Sequence, residues 1–437
     1  DHSVIVCVVQ KYGGDCSGEL TNDGNFCFDG MVFADRSLKA GSLEIKAAYQ
    51  PIRTSWEDGI LYITNRMDFT NLNEYTIKLE ISVDGDIREQ RTLRLDVPPK
   101  SVSSVPAGSD LPADCRLGCY INVYLTDNAG RIVASCQNDL KIPLRSDARE
   151  RTPALLTSDD INIYASGNGF EYVFSRKHGN FTGIKIGGRE QLLDPVRLSA
   201  WRAPTDNDQY MKYLWGDYDK WKGENLNIVF SKVYSCTFDP ENGKINVEGS
   251  LAGVARMPFL RYTMTVCIDS QGMIRWDLDV KVSEQCVWLP RLGFEFRTGS
   301  GNSDFTYFGM GPGENYCDMC RHAYVGWHTG KSCDEYVPYV VPQEHGNHTR
   351  TKILEFKDGM TFVADDVFEF SVSDFSPQQL TKAMHTDELK PDGTVHFRID
   401  HKVSGIGSNS CGPELLQKYR LSDKSINFGF SMMPGTQ

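Results

Sequence analysis

From residue 52 to about 145 the chain alternates strictly between apolar and polar positions. In Ile77-Lys78-Leu79-Glu80-Ile81-Ser82-Val83 every second side chain is apolar, so one face is buried and the other wet. Ile121, Val123 and Leu125 repeat the pattern just before the turn Asp127-Asn128-Ala129-Gly130. Several short strands with turns between them in under a hundred residues predict an immunoglobulin-like sandwich over 52–147. A second alternating region follows. Tyr262, Met264, Val266 and Ile268 lead through Ser270-Gln271-Gly272 into Ile274-Arg275-Trp276-Asp277-Leu278-Asp279-Val280-Lys281-Val282. This hairpin has a large apolar face that a second sheet must cover, so 154–437 reads as a large antiparallel sandwich. One helix interrupts the strands: Ser376 is the N-cap, Pro377 the first position and Gln379 completes a capping box. Leu380, Ala383 and Met384 fall on one of its faces. The class is all-β.

Residues 1–36 break the pattern. Tyr12-Gly13-Gly14-Asp15 and Asn22-Asp23-Gly24-Asn25-Phe26-Cys27-Phe28-Asp29-Gly30 have no helical period and predict a long irregular loop. Long loops of this kind tend to be functional. Ahead of them, Val4-Ile5-Val6-Cys7-Val8-Val9 reads as a buried strand already under way, with no Met and no basic leader. The start is therefore expected to be the tail of a domain that begins elsewhere. Arg145 to Pro153 is polar and ends in proline, as a linker does. At 437 residues, two or three domains are expected.

With 58 acidic against 46 basic residues the net charge is -12, which repels a phosphate backbone and argues against nucleic acid. A neutral sugar is indifferent to that charge. The 13 cysteines are scattered among apolar neighbours in no compact framework, which points to reduced thiols and a reducing, cytoplasmic compartment. No apolar run approaches the roughly 18 residues of a membrane span.

Candidate chemistry gathers first at Trp201-Arg202-Ala203-Pro204-Thr205-Asp206-Asn207-Asp208, which joins bulk (Trp201, Pro204) to short polar side chains, as a sugar-facing loop would. Asp-Asn-Asp is equally an ordinary turn. If extended, Asp206 and Asp208 would stand about 6.6 Å apart, near the separation of an inverting carboxylate pair, but a self-bonded turn is the favoured reading. Cys317, Cys320, His322, His328 and Cys333 offer soft ligands in a short span but lack a paired second knuckle, so zinc is not expected. The aromatic run Tyr210, Tyr213, Trp215, Tyr218 and Trp221 serves equally well as a stacking platform or as sandwich core.

The string WRAPTDND resembles the signature of the C-terminal sandwich of the large bacterial β-galactosidases, glycoside hydrolase family 2. YGGD followed by NDGNFCFDGMVFADR resembles the end of the same enzymes' catalytic (β/α)₈ barrel. FGMGPGENY, VPQEHGN, the stretch from Phe370 to His385 and GIGSNSCGP resemble further strings of that family in the same order, from about residue 11 to 425. The resemblance implies three segments: a barrel remnant over 1–51, the spacer sandwich over 52–147, and a large galactose-mutarotase-like sandwich over 154–437. It also implies retaining hydrolysis of terminal β-D-galactosides. Phe26 would offer its carbonyl, and Asp29 its side chain, to Na⁺ or K⁺ beside the sugar, and Asn22 would help order a Mg²⁺ shell. Asp29 departs from the Asn common at its place, Met310 stands where Arg is usual, and Cys411 stands where relatives present a stacking Trp. Phe26, Asp29, Asp208 and Cys411 are thus the expected sugar contacts. The family's two catalytic glutamates precede the matched region, so the implied partners are a galactoside and the missing N-terminal barrel portion, with homo-oligomers allowed, and the chain alone is expected to be inactive. The competing expectation is a non-catalytic carbohydrate-binding or scaffold protein made of β-sandwiches.

Overall fold

A computed structural model describes residues 11–435 apart from 17–19, 29, 107–110, 146–150, 209–210, 217–222, 358 and 411. The expected strand at Val4–Val9, most of the expected linker, and the candidate residues Asp29 and Cys411 lie outside the described residues.

The described residues of 11–51 form a short 3-10 turn at Gly24–Phe28, an isolated bridge between Val32 and Leu38, and helix α1, Ala40–Tyr49. No barrel strand is present among these described residues, and the strand expected at Val4–Val9 lies outside them. Helix α1 escaped the sequence reading because it has no apolar stripe: Ile45 and Tyr49 are exposed while Ser42 is buried.

Seven strands follow: β1 Ile52–Glu57, β2 Ile60–Asn65, β3 Thr76–Val83, β4 Asp86–Leu93, β5 Val102–Pro106, β6 Cys119–Thr126 and β7 Ile132–Asp139. They pair as β1-β2-β5 and β4-β3-β6-β7, two antiparallel sheets around one core. Ile77, Leu79, Ile81, Ile121, Val123 and Leu125 are all buried there, as the alternation required.

The rest of the chain is the large sandwich. Its smaller sheet holds β8 Leu156–Ser158, β9 Asn162–Gly167, β10 Phe170–Ser175, β11 Asn180–Ile186 and β12 Arg189–Glu190. Its larger sheet holds β13 Arg197–Ser199, β14 Val229–Asp239, β15 Lys244–Gly253, β16 Leu260–Ile268, β17 Ile274–Val282 and β18 Arg291–Gly299. It continues through β19 Asp304–Gly311, β20 Tyr324–Lys331, β21 Asn347–Phe356, β22 Met360–Ser373, β23 Thr394–Val403 and β24 Ser425–Pro434. Strands β16 and β17 pair in the expected hairpin, and Trp276 meets Phe181 of the smaller sheet edge-on at 5.5 Å. The capped helix is α3, Pro377–Lys382, after the short α2, Met211–Trp215. In α3 Ser376 accepts from Gln379 N and Gln379 accepts from Ser376 N. Because α3 ends at Lys382, Met384 is exposed instead of sharing the face of Leu380.

Four neighbouring strands, β13-β18-β23-β22, place the site. One face carries Leu292, Phe294, Phe296, Phe370, Val372, Phe397 and Ile399 into the core. The other carries Arg291, Glu295, Arg297, His396, Arg398, Asp400, Glu369, Ser371 and Ser373, in rows fixed by the register Glu295↔Arg398, Arg398↔Ser371 and Asp400↔Glu369. Arg291, Arg398, Asp400, Glu369 and Ser371 are nevertheless buried, because loops close over this face.

The two sandwiches touch through Leu117 and Tyr120, packed with Phe308, Met310, Val325 and Ile353. Gln137 also exchanges two hydrogen bonds with Val325. Gly85, at φ +94, is required here: a Cβ would lie 2.2 Å from the Trp327 ring.

Candidate active-site rim

Asp206–Asp208 is one turn of 3-10 helix rather than an extended strand. Asp208 closes it by accepting from Thr205 N at 2.9 Å and Thr205 Oγ1 at 3.1 Å, the self-bonded turn that such residues favour. The same carboxylate grips Arg202, with Nη2 at 2.8 Å from Oδ1. Arg202 is wholly buried, donates also to the carbonyls of Ser404 and Gly405, and lies 5.3 Å from the ring of Trp215. Asp208 therefore anchors the loop, and Asp206 is the carboxylate left at its surface.

Four strings singled out in the sequence meet here. Asp206 N donates to Gln343 Oε1 at 2.8 Å, Asn207 Nδ2 to the carbonyl of Ile406 at 2.6 Å, and Glu344 N to the carbonyl of Ala203 at 3.1 Å. Glu314 accepts from Gly346 N at 3.0 Å and from the hydroxyl of Tyr339, and burial pushes its carboxyl up. Asp318 holds the last glycine-rich loop, accepting from Ile406 N and Gly407 N at 3.1 and 2.8 Å. Beneath lies a buried charged layer. Arg291 pairs with Asp400 and stands 3.6 Å from Glu344, whose two carboxylate oxygens have no hydrogen-bond partner. Burial pushes Asp400 up to about 6 against the pull of Arg291, and Glu369 up to about 8.

The N-terminal segment lies along this end. Asn25 Nδ2 donates to Asp206 Oδ1 at 2.9 Å, so the turn bearing Phe26 abuts the WRAPTDND loop. Partial desolvation beside the N-terminal segment pushes the Asp206 carboxyl up, opposed by that hydrogen bond and by Lys39. Tyr12 donates to the carbonyl of Met384 and stacks on His385, which bridges Asp15 and Glu388 at 2.8 and 3.0 Å. From α1, Glu44 accepts from Arg321 N and faces His322 Nδ1 at 3.0 Å, while His322 Nε2 meets the carbonyl of Glu314.

Of the expected contacts, Phe26 is half exposed and Asn22 is exposed, accepting from Gly24 N at 3.1 Å. The donors are oxygens, as a hard cation prefers, and one ammonium already binds here: Lys39 Nζ donates to the carbonyl of Phe28 at 2.7 Å. Among the described residues no three His, Cys, Asp or Glu side chains stand close enough to hold a metal ion. Cys317 instead faces the carbonyls of Val403 and Tyr419, and His322 is taken by Glu44. Of the aromatic run, Trp215 is core, packed on Trp288, Tyr213 is partly exposed, and Tyr210, Tyr218 and Trp221 lie outside the described residues. The sequence reading missed Arg202 and the layer of Arg291, Arg398, Asp400 and Glu369. Its signal was there in Arg-Leu-Gly-Phe-Glu-Phe-Arg, where Arg291, Glu295 and Arg297 share one face of an aromatic strand, but alternation reads as a wet face.

A family model described as the beta galactosidase small chain matches residues 166–432, and one described as beta-galactosidase, domain 4, matches residues 61–136. A beta-galactosidase of Actinobacillus pleuropneumoniae is 28% identical over 97% of this chain and 42% of its own length. Those of Staphylococcus xylosus and Kluyveromyces lactis are 28% and 27% identical over 97% and 96% of the chain, and 44% and 41% of their own lengths. The chain thus spans less than half the length of these curated relatives. Among solved structures, a galactose mutarotase related enzyme from Lactobacillus acidophilus aligns with 63% of the chain and 98% of its own, at 10% identity and a TM-score of 0.37. A galactose 1-epimerase from the same species aligns with 66% of the chain and 100% of its own, at 7% identity and 0.31.

Proposed function

We propose, since the chain belongs to the beta galactosidase small-chain family, that it works as the part of a β-galactosidase that frames the sugar pocket. The retaining acid and nucleophile would be carried by residues outside the stretch it spans. Retaining hydrolysis needs two carboxyl groups about 5 Å apart. Asp206 and Asp208 are unsuited to that task, because Asp208 is committed to Arg202. The observation that carries the reading is the hydrogen bond from Asn25 to Asp206, which sets the turn of Phe26 beside the loop of Asp206.

In this reading Phe26 and Asp29 hold Na⁺ or K⁺, Asn22 supports a Mg²⁺ shell, and Asp29 and the residue at 411 face the sugar. The monovalent cation would supply a fixed positive charge for a sugar hydroxyl. The chain's own residues position the loops: Asp208 through Arg202, and Asp318 through the backbone of Ile406 and Gly407. The substrate is a terminal β-D-galactoside, the missing partner is the N-terminal catalytic portion, and unpaired thiols such as Cys115, Cys119 and Cys286 suit a reducing cytoplasm. The test is Asp29→Ala in the enzyme completed with its N-terminal portion. Weakened dependence on Na⁺ or K⁺, with a raised KM for a nitrophenyl galactoside, supports the cation site. An unchanged cation response removes it.

A further inference from the structure

The polar face of the large sheet does not end at the rim. Arg197, Glu295, Arg398 and Ser371 form one row across β13, β18, β23 and β22, paired in register, so their side chains leave the sheet on the same side. Two cavities, of about 440 and 410 Å³, meet at the β13 edge of the sheet, the first on its core side and the second over this row, and share Arg197, Glu295 and Gln378. The first has Phe230, 61% exposed, in its wall, with Tyr262 and Phe294 buried behind it. The second is walled by charged side chains. The combined space is that of an ordinary small-ligand site.

Two buried polar atoms on the row lack partners. Arg398, 3% exposed, lines the second cavity with Nη2 unbonded, and Glu295 lines both with Oε1 unbonded, 3.6 Å from Arg398 Nε. Buried donors and acceptors are almost always satisfied by protein, water or ligand, so hydrogen-bonding capacity is left unmet just beneath the second cavity. The charges around it cancel: Arg197, Arg297 and Arg398 stand against Asp194, Glu295 and Asp392. Burial also lowers the two histidines of the groove, His178 and His396, which favours their neutral forms. A charged ligand would meet no net counter-charge here. A neutral polyhydroxylated one would meet planar donors and acceptors on one side and the exposed Phe230 ring on the other.

We propose that this groove binds a neutral oligosaccharide, one sugar packed against Phe230 and the next hydrogen-bonded by Arg197, Glu295 and Gln378. The inference rests on the sheet register and the cavities alone, and stands whether or not the chain takes part in hydrolysis.

Calorimetry and saturation-transfer NMR on the purified chain test it, with lactose, cellobiose and maltose as neutral probes and galacturonate as the charged comparator. Arg197 and Gln378 are exposed, so Arg197→Ala and Gln378→Ala should fold normally. Binding of at least one neutral disaccharide in the millimolar range is expected, weakened about tenfold or more by each substitution. Absence of binding by all three, binding that neither substitution weakens, or preference for galacturonate would overturn the proposal.

Discussion

Asp208→Ala should be among the most destabilising single changes available at the rim. Its carboxylate receives five hydrogen bonds, three from Arg202 at 3.3, 2.8 and 3.1 Å and two from Thr205 at 2.9 and 3.1 Å. Without it Arg202, wholly buried, keeps only two backbone carbonyls for a full positive charge. Removing one partner of a buried ion pair costs about 3–5 kcal/mol, because the other charge is stranded. The orphaned Thr205 N–H pushes the figure toward the upper end. Replacing both partners by apolar residues, Arg202→Met with Asp208→Leu, strands no charge and leaves only neutral groups, Thr205 N–H and the carbonyls of Ser404 and Gly405, short of a partner, so it should cost less than Asp208→Ala alone. Tryptophan fluorescence during denaturant unfolding reads this region directly, since Trp215 lies beside Arg202 and packs on Trp288 at 4.7 Å. A loss below about 1 kcal/mol for Asp208→Ala, or a double variant worse than the single one, would refute the reasoning.

Two pH effects follow from the same structure. Glu369 is held up to about 8 against an ordinary 4.5, so the folded state keeps a proton that the unfolded chain has lost. The stability this gives is full below pH 4.5 and is lost as pH rises to 8, at up to about 1.4 kcal/mol per unit. Glu369→Gln should flatten that decline and gain stability at pH 8 relative to the parent in denaturant titrations at both pH values; an unchanged slope would count against it. His385 has a carboxylate on each ring nitrogen, and its hydrogen bonds to Glu388 and Asp15 raise its pKa. Its contribution is full below the ordinary histidine value and is lost as pH rises through the raised one. Hydrogen exchange around Tyr12 should therefore quicken with pH beyond its intrinsic rise, and His385→Gln should abolish that excess.

Much of the fold was legible where one face is wet. The alternation of Ile77 to Val83 and of Ile274 to Val282, and the capping box of Ser376 and Gln379, each state their structure locally. The rim was legible only in part. The motif strings said that Trp201–Asp208, Gln343 and Ile406 matter, but the division of labour between Asp206 and Asp208 depends on Arg202 reaching across to the carbonyl of Ser404, 202 positions away in sequence. The polar face of β18, β22 and β23 was not legible, because alternation tells which side chains share a face, and only loops folded over that face decide whether it is dry. Helix α1 was invisible for the complementary reason: its contacts are polar, through Glu44 to Arg321 and His322, and leave no apolar period.

The central claim is that this chain frames a galactoside pocket whose reacting carboxylates lie elsewhere. The most direct measurement is hydrolysis of a nitrophenyl β-galactoside by the chain alone and after joining or mixing it with the N-terminal portion of a relative such as the Actinobacillus pleuropneumoniae enzyme. No turnover alone, and Na⁺- or K⁺-dependent turnover on addition that Asn25→Ala with Asp206→Ala impairs, is the predicted result. Turnover by the chain alone, or a reconstituted enzyme indifferent to that double substitution, would contradict it.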